Sequence, residues 1–163
     1  MSVEEAIASK PTGVLLSPGP GNPDSAGICL ELVGALPAEI PLLGVCLGHQ
    51  SLVQGLGGAI GRDPVPVHGK PAMIHHDGLC PLFDGMPNPF SAGRYHSLFA
   101  IRESLPDCLR LTAWIEEGTV MAVQHIDRPW FGMQFHPESI LTPQGDRMLV
   151  KFLALTGEGV SAR

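Results

Sequence analysis

The sequence predicts an α/β fold: an open mixed sheet flanked by helices, with an added antiparallel strand region. Three observations predict it. In the first third of the chain, short apolar runs alternate with helically spaced ones, the pattern of a parallel sheet wound with helices. Beyond Gly58, a series of short strand-like runs is separated by Gly, Pro and Asp turns. Between the two regions, Gly44-Val-Cys-Leu-Gly48 joins an apolar run to a helical one with the spacing of a nucleophile elbow.

Length and composition bound the answer. The 163 residues predict one domain, 1–163, large enough for a core of its own. Hydrophobic residues make up 44% and charged residues only 16%, which excludes a disordered chain. A net charge of −6 argues against nucleic acid or an anionic membrane surface as a partner. Cys29, Cys46, Cys80 and Cys108 are far apart and form no Cys-x-x-Cys pair, so neither a structural zinc nor a disulfide framework is expected. With no window long enough to span a membrane and no signal peptide, the expected location is the cytoplasm.

The elements follow in order. Ser2-Val-Glu-Glu5 is a capping box that opens a short helix through Ala8. Gly13–Ser17 predicts a buried strand, and Pro18-Gly-Pro-Gly-Asn-Pro23 a rigid loop. Asp24 or Ser25 is expected to cap a helix carrying Ile28, Leu32, Val33 and Leu36 on one face. Pro41–Val45 predicts the next strand, and a helix then runs towards Gly57-Gly58. Further strands are predicted over 59–62, 65–67, 72–75, 91–95, 109–114, 120–125 and 130–135, with hairpin turns at Glu116-Glu-Gly118 and Asp127-Arg-Pro129. Thr142 is expected to cap a last helix with Pro143 at its first position and Met148, Leu149, Phe152 and Leu153 on its apolar face. The tail from Thr156 is expected to fray.

The candidate chemistry centres on Cys46. In an elbow the nucleophile sits on a strained turn, so the positions two residues either side must lack side chains. The following helix points N–H groups and its positive end at the sulfur, which favours the thiolate. A buried structural cysteine at a glycine-punctuated strand end is the alternative. A cysteine nucleophile needs a base and an oxyanion hole. Of seven histidines, His136 follows a predicted strand directly, where α/β sheets place their sites. Glu138 lies two residues on and could orient its ring; a surface turn is the other reading of His-Pro-Glu. The glycines of Pro18-Gly-Pro-Gly21 could supply backbone donors, or simply form a turn. His75-His76 precede Asp77-Gly78, which reads as a polar turn; a metal site there is the other reading, disfavoured because no acidic or thiol ligand lies at useful helical spacing. Whether His68, His75 and His76 line an interface or finish turns is left open.

Six strings, in order, resemble one family. They are Leu16-Ser-Pro-Gly-Pro-Gly21, Gly44-Val-Cys-Leu-Gly-His-Gln50, His68-Gly-Lys70, His76-Asp-Gly78, Arg94-Tyr-His-Ser-Leu98 and Gln134-Phe-His-Pro-Glu-Ser139. Together they resemble the class I (triad) glutamine amidotransferases. The His-Gly-Lys and Arg-Tyr-His-Ser-Leu strings look most like the anthranilate synthase component II and aminodeoxychorismate synthase component II branch. The resemblance implies a flavodoxin-like sheet and hydrolysis of glutamine to glutamate, with ammonia passed to a chorismate-binding synthase subunit. It implies Cys46 as nucleophile, His136 as base and Glu138 as its orienting carboxylate. The N–H groups of Gly19 and Leu47 would form the oxyanion hole, and Gly21, Gln50, Ser97 and Leu98 would bind glutamine. No metal or organic cofactor is implied.

Members of this family carry a strand–helix–strand unit ahead of the Ser-Pro-Gly-Pro-Gly loop. Here 16 residues precede Ser17, whereas such a unit takes roughly thirty. The fold is therefore expected to be N-terminally truncated, with Gly13–Ser17 left as an open apolar edge. An inactive fragment or a non-catalytic binding subunit of the same fold is the alternative function. A cysteine hydrolase of the same broad fold is a third, against which Gln50 and the His-Pro-Glu order favour glutamine.

Overall fold

A computed structural model describes residues 1–63 and 66–157. Its elements, in order, are α1 (Val3–Ala8), β1 (Val14–Leu16), α2 (Cys29–Ala35), β2 (Leu42–Val45), α3 (Leu47–Gly55), β3 (Ile60–Arg62), β4 (Lys70–His76), β5 (Phe90–Arg94), β6 (Leu98–Ala100), β7 (Leu109–Trp114), β8 (Val120–His125), β9 (Trp130–Met133) and α4 (Gly145–Leu155). Seven strands form one sheet in the order β1-β2-β9-β8-β7-β4-β5, and β3 pairs with β6 in a small second sheet. The strands β1, β2 and β9 are parallel neighbours, whereas β9-β8-β7-β4-β5 are joined antiparallel. The antiparallel strands thus continue the main sheet rather than forming a separate layer.

The apolar runs are continuous because both faces of the sheet are covered. On β2, Leu43 and Val45 enter a core with Phe135, Met148 and Phe152. Leu42 enters the opposite core with Leu52, Val53, Val33 and Trp130. Helices α2 and α3 lie on the second face and α4 on the first, so period-two alternation disappears where a parallel strand is buried twice over. Among the described residues, β1 has only β2 as a strand neighbour. At that edge Leu15 is 52% exposed, and Thr12–Leu15 line an apolar groove with Leu149, Phe152 and Leu153.

Several expected elements are corrected. Asp24 and Ser25 do not cap α2: Asn22 caps a single turn at Pro23–Ser25, and α2 starts after Ile28 with no side-chain cap. Thr142 does not cap α4, which begins after Gln144; its hydroxyl is engaged elsewhere, as described below. The strand expected over 65–67 is not formed at Pro66 and Val67, and its first residue lies outside the described residues; proline brings no N–H to a ladder there. Strand β9 ends at Met133, two residues short of expectation. The short β6 is absent from the expected strands, because three residues carry no periodicity. The expected fraying from Thr156 falls largely on residues outside those described. Among the described residues, no helix is long and apolar enough to cross a membrane. All four cysteines are unpaired.

Candidate active site

Cys46 stands between β2 and α3 with φ 52° and ψ −102°, a strained conformation for a residue with a Cβ. The two flanking glycines allow it. A Cβ at Gly44 would collide with the backbone of Gly48, and a Cβ at Gly48 with the carbonyl of Leu16 on β1. The spacing read from the sequence thus reflects three backbones in contact: β2, α3 and β1. The turn is tied to the sheet by Cys46 N–H donating to the Met133 carbonyl at 2.8 Å, and to α3 by Gln50 N–H donating to the Cys46 carbonyl at 3.0 Å.

The loop after β1 closes over this turn. Asn22 caps its exit, and Gln54 of α3 donates to Asp24 at 2.7 Å, clamping the loop to the elbow helix. Gly21 takes φ +86°, and Gly19 packs against the Leu47 side chain. A cavity of about 170 Å³ results, lined by Gly19, Gly21, Cys46, Gln50, Tyr95 and the 96–98 segment. The candidates Gly19, Gly21, Cys46, Gln50, Ser97 and Leu98 therefore share one cavity, with Leu47 beside it. The Ser97 carbonyl is already taken by the Asp63 N–H at 2.7 Å, and the Leu98 carbonyl by Gln50 and His96.

His136 and Glu138 follow β9. The His136 Nδ1 lies 2.6 Å from Glu138 Oε1. The turn carrying them is held by three hydrogen bonds: His136 N–H to the Gly93 carbonyl (3.1 Å), Gly93 N–H to the Thr142 hydroxyl (3.0 Å), and that hydroxyl to the His136 carbonyl (2.6 Å). Tyr95 packs edge-on against the His136 ring at 5.0 Å and shares a hydrogen bond with Ser139. At the start of α4, Gly145 packs so closely on the Pro137 carbonyl that no Cβ would fit. The His136 Nε2 is buried and has no hydrogen-bond partner among the described residues.

The sulfur's electrostatics depart from the sequence expectation. Burial pushes the Cys46 thiol up to about 11; the Leu47 N–H acts in the opposite direction and is outweighed, Glu138 raises it further, and Gln134 lowers it. The helix-terminus effect is present in sign but loses to desolvation. The thiol is directed at the Tyr95 carbonyl, 3.9 Å away, rather than at His136. Burial, followed by the Arg94 charge, also drives His96 down to about 4, which keeps its imidazole neutral.

Two features near the sulfur lie beyond the sequence reading. Gln134, fully buried, donates from Nε2 to the Cys46 sulfur at 3.7 Å. Tyr95 contributes both its carbonyl and its ring. Glutamine inside an apolar strand run is the signal that marks Gln134, since a buried amide there needs partners. His76 proves to be packed against Phe83 and Phe90, with its ring nitrogens at the Pro87 carbonyl and the Gly78 N–H.

A strained cysteine elbow at the end of parallel strands, beside a glycine loop and with a histidine–carboxylate pair following the neighbouring strand, defines a class of α/β proteins with a cysteine-centred site. The chain belongs to the class I glutamine amidotransferases: residues 1–155 match the family described as "Glutamine amidotransferase class-I". It is 50% identical over 157 residues to anthranilate synthase component 2 of Azospirillum brasilense, covering 96% of this chain and 80% of that one. It is 46% identical to the aminodeoxychorismate/anthranilate synthase component 2 of Bacillus subtilis, covering 94% of this chain and 78% of that protein. In fold it resembles the crystal structure of a putative GMP synthase component from Thermoplasma acidophilum, with a TM-score of 0.83, 24% identity, and coverage of 94% of this chain and 77% of that structure.

Proposed function

We propose that this chain is the glutaminase subunit of a cytoplasmic chorismate-using synthase, serving anthranilate or 4-amino-4-deoxychorismate formation. In this reading Cys46 attacks the side-chain amide carbon of glutamine as its proton passes to His136 Nε2. Glu138 holds the ring through Nδ1 and stabilises the imidazolium. The tetrahedral oxyanion is held by the N–H groups of Leu47 and Gly19, each donor contributing about 3 kcal/mol. Collapse breaks the C–N bond, and His136 returns the proton so that ammonia leaves. Water then hydrolyses the thioester to glutamate and restores the thiol. With both its Nε2 protons committed to protein, Gln50 presents only Oε1 to a bound substrate, which suits the α-ammonium of glutamine.

The observation that carries this reading is the shared cavity, where Cys46 meets Gly19, Gly21, Gln50 and the 97–98 segment. The raised thiol adds a condition: Cys46 is protonated at rest, so its proton must pass to His136 as it attacks. Glutamate release from glutamine, measured with and without an anthranilate or aminodeoxychorismate synthase component, tests both points. The expected result is slow release alone, faster release with the partner, and none in Cys46→Ala. Equal turnover by Cys46→Ala and the parent refutes the assignment.

A further inference from the structure

We propose that Gln134 is a further catalytic residue: its side-chain N–H, aimed at Cys46 by hydrogen bonds anchored on the Leu98 carbonyl, stabilises the sulfur as it gains negative charge. The proposal rests on reading Cys46 as the nucleophile. Its support is that every amide and imidazole joined by these bonds has one permitted orientation, fixed by groups that cannot turn round.

Two arms of hydrogen bonds meet at the Leu98 carbonyl, and the first comes from Arg94. A guanidinium only donates, so the Arg94 Nε–H at 3.1 Å makes His96 Nε2 an acceptor. The neutral ring then carries its proton on Nδ1 and donates to the Leu98 carbonyl at 2.9 Å. A carbonyl only accepts, so the Gln50 atom 3.1 Å from it is Nε2. That same nitrogen lies 3.1 Å from Gln134, which must offer Oε1. The other end of the Gln134 amide, Nε2, is therefore the one that faces the sulfur at 3.7 Å. Gln134 and Gln50 are buried, so no solvent competes for these bonds.

Donation to sulfur is worth little to a neutral thiol and more to a thiolate, because charge-assisted bonds are roughly twice as strong. Gln134 thus opposes the desolvation that keeps the thiol protonated. Gln50 acts as a positioning residue, and it also faces the glutamine cavity. Among charged groups Glu138 acts on the sulfur, and it is common to parent and variants.

Alkylation of Cys46 by iodoacetamide, followed peptide by peptide in the full chain across pH, tests this. Gln134→Met keeps the length and removes the donor. The expected result is alkylation about tenfold slower below the ionisation midpoint, with that midpoint raised by about one pH unit and the gap closing above it. Gln50→Met, which leaves the Gln134 Oε1 without its donor, is expected to shift the midpoint the same way by less. An unchanged profile in Gln134→Met, or a rate lowered by one factor at every pH, overturns the proposal. Should Gln134→Met fail to fold, the parent carries a second measurement: the Gln134 side-chain amide resonance must move when Cys46 is alkylated, and an unmoved resonance overturns it. Alkylation requires no turnover. A shifted profile without glutamate release therefore supports Gln134 and defeats the glutaminase reading, and glutamate release with an unchanged profile does the reverse.

Discussion

The parallel and antiparallel halves of the sheet divide the work unequally. The parallel half, β1-β2-β9, carries the glycine loop, Cys46 and the His136 turn at the carboxyl ends of its three strands. The antiparallel half, β8-β7-β4-β5, contributes Gly93 and Tyr95, which support the site from the side. Parallel strands all end at one edge, so residues distant in sequence converge there without long loops. Antiparallel strands alternate their ends and furnish walls. The two halves should therefore differ in how much a single backbone atom matters.

Gly48→Ala is the severest way to break the comparison. Its Cβ meets the backbone of Leu16, which cannot give way as a flexible side chain would. A loss of about 4 kcal/mol or outright misfolding is expected, at the upper end for single substitutions, with chemical denaturation as the measure. In the antiparallel half, Gly118 turns the β7–β8 hairpin at φ +89° with nothing but a distal Arg102 nitrogen near its Cβ position. Gly118→Ala should cost only about 1 kcal/mol, from backbone strain. A reversal of that order would show that the contrast between the halves is misjudged.

Alkaline pH sharpens it further. Burial raises Cys46 and, in the same core, Cys80 to about 11 from an ordinary thiol value of 9.0. Both thiols are raised in the folded state, so the unfolded chain loses these protons first. Their contribution is whole below about pH 9 and is lost as pH rises towards 11, at roughly 3 kcal/mol per thiol. Urea melts at these two pH values should show the loss. Cys46→Ser and Cys80→Ser should each remove about half of it, and a pH-independent stability would refute the burial of both sulfurs.

Thr142 links the halves, since its hydroxyl joins Gly93 of β5 to the His136 carbonyl. Thr142→Val leaves the buried Gly93 N–H without its partner and takes one of two donors from the His136 carbonyl, at about 2 kcal/mol. On the proposed reaction, kcat should fall while KM stays near the parent value, because the base is displaced and the glutamine cavity is not. A changed KM at unchanged kcat would place Thr142 in binding instead.

These contrasts also explain what the sequence discloses. The elbow is legible because steric exclusion writes itself as glycine at fixed spacing, and the spacing survives whatever surrounds it. The hairpin at Glu116-Glu-Gly118 is legible for the same local reason. Thr142 misleads because its proline neighbour suggests a helix start, while its true partner, Gly93, lies 49 residues away. The state of Cys46 misleads because a helix terminus is visible in sequence and desolvation by folded neighbours is not. Gln134 shows the same blindness: its meaning comes from Gln50 and Leu98, residues that only the fold brings alongside it.

The chain's two tryptophans fall one to each half. Trp130 on β9 is fully buried, with its indole N–H on the Ile40 carbonyl and Arg128 over its ring; Trp114 on β7 is half-buried. Trp114→Phe leaves fluorescence to report on the parallel half alone, and Trp130→Phe on the antiparallel half alone. The molecule therefore carries its own pair of optical probes, one for the strands that present the chemistry and one for the strands that brace it.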